Sequence, residues 1–274
     1  MDLTLIALLL ALGAMTGFAA GLLGIGGGML LTPFLTLILS TQNFPEQHVV
    51  HVAIATSLAT ILFTSISSVR AHHQRGAVLW KVVWAVAPGI LVGALIGAQI
   101  AGRLPTFWIA TIFALFVGFS ALQMLRDRKP HAARQLPGAA GMFGAGNGIG
   151  LISSLVGAGG GFISVPFMVW CNVKIHNAVA TSAALGFPIA AAGTVGYIIA
   201  GWNTPGLPGL PQTLGFIYLP ALITVVTTSV LTAPLGAKVA HSMDTKPLKR
   251  IFALVLFVLA SYMFYKAVQA FSSL

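Results

Sequence analysis

The stretch GLLGIGGGMLLTPFL, residues 21–35, decides the fold, because a close copy returns as SLVGAGGGFISVPFM, residues 154–168. In both, an apolar run meets G-x-G-G-G, and a proline stands five residues after the last glycine. Each glycine inside a helix costs roughly 0.5–1 kcal/mol relative to alanine. A chain that places three in a row twice is therefore expected to interrupt its helix at both places.

The surroundings say what kind of helix is interrupted. Of 274 residues, 57% are hydrophobic and only 7% charged, against roughly 25% charged in an ordinary soluble domain. Mean hydropathy is +0.96. Such a chain cannot cover a water-facing surface, and its apolar runs reach the ~20 residues that a helix needs to cross a bilayer. They do not alternate polar and apolar residues as a transmembrane β-barrel does. The expected class is an all-α polytopic membrane protein. Apolar segments fall at 3–23, 29–39, 49–69, 78–101, 106–125, 139–155, 162–171, 178–200, 214–239 and 248–271. The first of these lacks a basic flank and reads as a membrane helix rather than a signal peptide. Cys171 is the single cysteine, which excludes an intrachain disulfide and any multi-cysteine metal site.

Two further matches join the glycine motifs. HVAIATS (51–57) pairs with HNAVATS (176–182), and GAQIAGRLPTFWIATIFALF (97–116) pairs with GAKVAHSMDTKPLKRIFALV (236–255) without a gap. Three collinear matches indicate an internal duplication. We divide the chain into a first repeat, 1–125, a basic linker, 126–138, and a second repeat, 139–274.

Loop charge orients the two copies. Basic loops carry Arg70, Arg75 and Lys81, then Arg126, Arg128, Lys129 and Arg134, then Lys238, Lys246, Lys249 and Arg250. The counterpart of the first, 201–213, carries no charge, and the counterpart of the third holds only Arg103. Equivalent loops with opposite bias are the signature of inverted repeats under the positive-inside rule. The net charge of +10 thus reflects cytoplasmic loops rather than nucleic-acid binding. Inversion needs an odd number of crossings. A glycine-broken helix hairpin plus three full transmembrane helices per repeat supplies it, as do five separate crossings. Either places both termini outside, with Arg103 and Lys266 as departures from the rule.

Segments 29–39 and 162–171 are too short to span alone, since eleven helical residues cover about 16 Å against a core of about 30 Å. Each reads as the second arm of a hairpin whose tip lies within the membrane. There the glycines Gly26, Gly27, Gly28 and Gly159, Gly160, Gly161 bring the backbone close. The first N–H groups of the next helix, which lack intrahelical acceptors, then face any anion at the tip. Thr32-Pro33 could alternatively form an N-cap and first helical residue, starting that helix later. The scattered Gly89, Gly93 and Gly97 read as helix-packing residues.

Side-chain candidates follow the duplication. Thr56, Ser57, Thr181 and Ser182 sit five or six residues beyond the matched His51 and His176, and their hydroxyls can donate to an oxyanion without adding charge. The alternative is a bond back to a helix carbonyl or neighbouring helix. His51 and His176 fall near helix starts on opposite faces, as gates or as capping residues. Asn147, in GAGNGIG, precedes the second tip without a polar counterpart. His72 and His73 border a basic loop and are expected in solvent or at headgroups. The four acids, Asp2, Glu46, Asp127 and Asp244, all fall at termini or in loops. No cofactor or metal is implied, and the expected partners are a small anion and the bilayer, with a homodimer left open.

The paired G-x-G-G-G motifs, the paired H-x-A-[IV]-A-T-S motifs, HHQRGAVLW (72–80) and LGAKVAHSM with LKRIFALVLFVL (235–259) together resemble the sulfite exporter TauE/SafE family. The resemblance covers essentially the whole chain. It implies an exporter of sulfite, an organosulfonate or a related small anion in the cytoplasmic (inner) membrane, working by alternating access. An anion channel is the alternative reading. An intramembrane enzyme is a weaker one, because no nucleophile lies beside a base inside a span.

Overall fold

A computed structural model of the chain describes residues 3–24, 26–42, 44–126, 134–202, 204, 212–242 and 246–272. Most of the linker, 127–133, therefore lies outside the described residues. Ten helices follow in order: α1 Leu3–Leu23, α2 Gly28–Thr41, α3 Glu46–His73, α4 Trp80–Ala101, α5 Thr106–Arg126, α6 Ala139–Val156, α7 Gly161–Trp170, α8 Ile175–Trp202, α9 Leu219–Ser242 and α10 Lys246–Ser272. Eight are long and apolar enough to cross a membrane, and α2 and α7 are not. Their outward faces carry Leu231, Trp84, Leu115 and Phe119, each at least 65% exposed. The chain is a multi-pass membrane protein.

The short helices match the expected second arms, but the first arms are not half-helices. At 21 residues, α1 is about 31 Å long, and α6 has 18 residues. Each half thus holds four long helices and one short one. A second difference lies before α9. The apolar run from Leu214 begins as a two-stranded hairpin, Thr213–Leu214 against Ile217–Tyr218, with Gly215 at φ +56°. Gly215 lies against the Ile198 carbonyl, so the hairpin is pressed onto α8 and the helix starts only at Leu219.

The helices pair symmetrically. α1 lies along α9 and α6 along α4; α5 lies on α10; α3 touches α8 and α9, as α8 touches α3 and α4; α2 lies on α3 and α7 on α8. Exchanging α1–α5 with α6–α10 maps the α5–α10 and α3–α8 pairings onto themselves and each of the others onto another. Two seams are built on small residues. Gly13, Gly17 and Gly21 of α1 lie against the backbone of α9, and Gly89 and Gly93 of α4 against that of α6. A Cβ on Gly97 would overlap the Ser154 hydroxyl of α6, so the α4 trio is a packing stripe, as expected.

One departure from the charge rule has a local reason. The Lys266 ammonium lies 3.1 Å from the Glu46 carboxylate, and its side chain is only 13% exposed. The pair joins α10 to the start of α3 and cancels the charge.

Candidate functional site

The two glycine motifs share two of their turns and differ at Gly26, whose φ of +76° has no copy at Gly159. Gly24 and Gly157 have φ of +66° and +69°, and Gly27 and Gly160 have +74° and +77°. A side chain at those angles costs roughly 1–2 kcal/mol, which is why glycine recurs at matched places. Gly27 and Gly160 are the N-caps of α2 and α7. The Gly27 carbonyl accepts from Leu30 and Leu31, and the Gly160 carbonyl from Ile163 and Ser164. The N–H groups of Gly28 and Met29, and of Gly161 and Phe162, have no acceptor in their own helix. The start at Gly28 puts Thr32-Pro33 inside α2, so the later start does not hold.

The two tips meet. A Cβ on Gly26 would lie 2.9 Å from the Gly159 Cα, and one on Gly28 would overlap the Gly157 carbonyl oxygen. Both also approach Ile61, near the middle of the 28-residue α3. Each tip is seated on the opposite half. Gly24 packs on Val179 of α8, and Gly157 packs on Ile54 of α3, the matched position.

The hydroxyls of the A-T-S motifs are all buried, and they close this arrangement. The Thr56 hydroxyl accepts from the Tyr218 N–H, and the Thr181 hydroxyl from the Leu79 N–H, each at 3.0 Å. Tyr218 and Leu79 immediately precede α9 and α4, so one bond is the copy of the other. The threonine hydrogens remain to donate. Ser57 donates to the Ala53 carbonyl at 2.7 Å and accepts from Thr32 of α2 at 3.0 Å. Ser182 donates to the Gly24 carbonyl at 2.9 Å and accepts from Ser164 of α7 at 2.8 Å. Ser182 thus ties the first tip to α8, whereas Ser57 bonds back within its own helix.

Valine at Thr56 or Thr181 keeps the shape but leaves one buried N–H unpaired, which costs about 1–3 kcal/mol. Thermal unfolding in detergent is expected to show similar losses for the two variants. A loss at only one position would mean that the two bonds are not equivalent.

The other sequence candidates lie away from the tips. Asn147 stands ten residues before Gly157, and its backbone packs on Gly89 and Gly93 in the α4–α6 seam. His51 and His176 occupy opposite ends of the bundle. His51 is buried, with Nε2 3.0 Å from the Leu104 carbonyl oxygen and its ring stacked on Phe216 at 5.2 Å. His176 is exposed and stacks on His241 at 6.1 Å.

His72 corrects the expectation of a solvated side chain. It is wholly buried, because its ring sits between the Gly21 carbonyl and His241; His73 is exposed and accepts from the Trp80 indole. Thr32, Ser164 and Ser153 were also missed. Ser153 is 1% exposed, and its hydroxyl has no partner in the structure. It lies 3.1 Å from where a Cβ on Gly160 would stand. A comparison of the two halves could have found it, since its counterpart is Ala20.

Among the described residues, no group of three or more His, Cys, Asp or Glu could hold a metal ion. The linker's Arg134 bonds through its N–H to the Trp170 carbonyl and stacks over the Trp170 ring, 5.0 Å from its centroid.

The profile of the family described as "Sulfite exporter TauE/SafE" matches residues 9–263. A "Probable membrane transporter protein" of Haemophilus influenzae is 37% identical over 96% of this chain and 99% of its own. One of Methanocaldococcus jannaschii is 26% identical over 95% of this chain and 96% of its own. One of Bacillus subtilis is 26% identical over 85% of this chain and 89% of its own. No solved structure matches the chain.

Proposed function

The chain belongs to the sulfite exporter TauE/SafE family, a family of membrane transporters and not of enzymes, and from that premise we propose that it exports a small sulfur-containing anion by alternating access. Sulfite, an organosulfonate or a close relative is the cargo, and the inner membrane is the place. The observation that carries this reading is the meeting of the two glycine tips at mid-height of α3. Four amide N–H groups without acceptors in their own helices converge there with the positive ends of α2 and α7. The threonine hydrogens of Thr56 and Thr181 and the hydroxyls of Ser57, Ser182 and Ser153 complete a set of donors without a charged side chain. Such a site holds an anion through dipoles, and broken helices form midplane sites in many transporters.

The repeat arrangement supports alternation. The start of α8 lies beside the end of α9, at the end of the bundle where α3 also finishes. Equivalent helices α3 and α8 therefore run in opposite directions, as inverted repeats 1–125 and 139–274 require. On this reading the end with Arg70, Arg75, Lys174 and Lys238 is cytoplasmic, and both termini are outside. In the present arrangement the Ser57 and Ser182 hydrogens are given to the carbonyls of Ala53 and Gly24. Opening one half exchanges Ser182–Gly24 and Ser164–Ser182 bonds for bonds to the anion. A monoanion leaving a negative interior gains about 2.3 kcal/mol per 100 mV, so export needs no further driving force.

The test is efflux from proteoliposomes loaded with sulfite, sulfate, thiosulfate or an alkanesulfonate, under an imposed potassium diffusion potential. Saturable efflux of the sulfur oxyanions that grows with the potential is expected. No flux of any of them overturns the substrate class, and single-channel conductance at near-diffusive rates makes the protein a channel.

A further inference from the structure

Three helices end together around His72. Its Nε2 lies 3.1 Å from the carbonyl oxygen of Gly21, at the end of α1, and its Nδ1 lies 3.0 Å from Nε2 of His241, at the end of α9. A carbonyl only accepts, so Nε2 of His72 carries hydrogen. In the neutral pair Nδ1 of His72 is then bare and accepts from Nε2–H of His241. His241 in turn stacks on the exposed His176. A line of imidazoles thus runs from the surface to the carbonyl of Gly21, three residues before the first glycine motif.

The other half does the same job with a different group. By the motif matches, His72 corresponds to Tyr197 and Gly21 to Ser154. The Tyr197 hydroxyl donates to the Ser154 carbonyl at 3.0 Å. Each half therefore ties the end of its first helix to its third helix by one side-chain hydrogen bond. In one half the donor is a phenol, which keeps its hydrogen at neutral pH; in the other it is an imidazole, the side chain that titrates there.

We propose that His72 and His241 form a proton-binding site, and that uptake of a proton there releases the end of α1 and admits the anion. This rests on the anion-export reading for its cargo, but the site itself stands on the geometry. The closed pair is neutral. His72 is wholly buried, and the ionisable groups around it are cationic or neutral. Arg70 and His73 stand on its own helix, with Arg75 just beyond its end. Lys238 and His241 stand on α9 and His176 on α8, while α1 has none. Among the described residues none is an acid; Asp244 lies outside them. A buried imidazolium without a counter-charge is costly. A hydrogen on both facing nitrogens would also set two donors against each other across 3.0 Å. Water reaching the pair on opening removes both obstacles. The protonated rings, with Arg75, then present positive charge to an incoming anion. Acid on this side favours the open state, and the proton returns to the same side when the pair closes, so the anion alone carries charge across.

A cysteine placed at Leu23, in the last turn of α1 and buried in the closed state, reports this opening without any substrate. The background is Cys171→Ser, which removes the only native thiol. In detergent, maleimide labelling corrected for the thiolate fraction is expected to be about tenfold or more faster at pH 6 than at pH 8, since a one-proton site allows tenfold per pH unit. His72→Tyr gives the position the residue of its counterpart. It keeps a donor for Gly21 and removes the proton site, so labelling should vary less than about twofold over the same range. His241→Gln, at the half-buried outer ring, should flatten the profile likewise and guards against a misfolded His72 variant. Labelling independent of pH with both histidines present, faster labelling at high pH, or an unchanged slope in both variants overturns the proposal. Ethanesulfonate efflux, whose cargo keeps its charge over this range, should follow the same profile. Efflux that fails while labelling behaves as described counts against the cargo and leaves the proton site standing.

Discussion

Alanine at Gly28 is expected to abolish anion-dependent stabilisation and reduce efflux to background. Gly28 has ordinary helical φ, being absent from the glycines of positive φ, so alanine meets no backbone strain there. Helix propensity alone would favour alanine by roughly 0.5–1 kcal/mol. What opposes it is space. The new methyl would overlap the Gly157 carbonyl oxygen and lie 2.8 Å from the Ile61 Cδ1. The carbonyl belongs to a turn held at φ +69° and seated on Ile54, so it has little room to retreat. Overpacking of this kind costs about 1–3 kcal/mol, which the fold survives and a closely apposed pair of helix tips does not. Gly27→Ala would be harder to read, because its φ of +74° adds backbone strain and its Cβ would overlap the Thr16 carbonyl oxygen of α1 instead. The control is Gly148→Ala on α6, where a Cβ meets nothing within 4 Å. Thermal unfolding in detergent, with and without thiosulfate or an alkanesulfonate, separates the outcomes. A Gly28→Ala protein that keeps wild-type anion stabilisation would show that the meeting of the tips is not the binding site.

The architecture was legible to the extent that it depends on repetition and period. G-x-G-G-G announced its breaks because positive φ leaves almost no other residue possible, and the same angles recur at Gly24 and Gly157 and at Gly27 and Gly160. The packing role of Gly89, Gly93 and Gly97 was legible from their spacing of four. Partners were not. Thr32 meets Ser57 across 25 residues, and Tyr218 meets Thr56 across 162. A hydroxyl's sequence neighbours do not say which backbone will face it. His72 was misjudged for a related reason. Its flanking Arg70 and Arg75 read as a solvated loop, yet α3 runs on through His73 and presents alternate faces to water and to α1. The hairpin before α9 escaped because Phe216, Ile217 and Tyr218 are as apolar as a helix start. Only Gly215, at φ +56°, marks the turn. Lys266 looked like a misplaced charge because its partner, Glu46, is distant in the chain.

Leucine at Gly17 or at Gly150 is expected to prevent recovery of folded protein, and to do so equally. Between helices in lipid there is no hydrophobic driving force, since the acyl chains are as apolar as leucine. Association then depends on close backbone approach, through dispersion and weak Cα–H···O contacts. Both seams are built that way. A Cβ on Gly17 would overlap the Ser229 carbonyl oxygen and come within 2.5 Å of its Cα. One on Gly150 would overlap the Ile90 carbonyl oxygen and lie 3.0 Å from its Cα. The facing helices answer in kind, with Gly236 of α9 on Phe18 and Leu22, and with Gly97 of α4 on Leu151 and Ser154. A leucine side chain adds four carbons where even one does not fit. The helices must separate along the seam, and the loss exceeds the about 1–3 kcal/mol of ordinary overpacking. Gly148→Leu, on the open face of α6, inserts the same side chain and should leave the yield of monodisperse protein unchanged. Equal failure at Gly17 and Gly150 is what the exchange of halves requires, because α1 on α9 and α6 on α4 are the same contact made twice. Tolerance at one seam and collapse at the other would mean that the duplicated helices no longer carry duplicated loads, and the two-fold description of the anion site would lose its support.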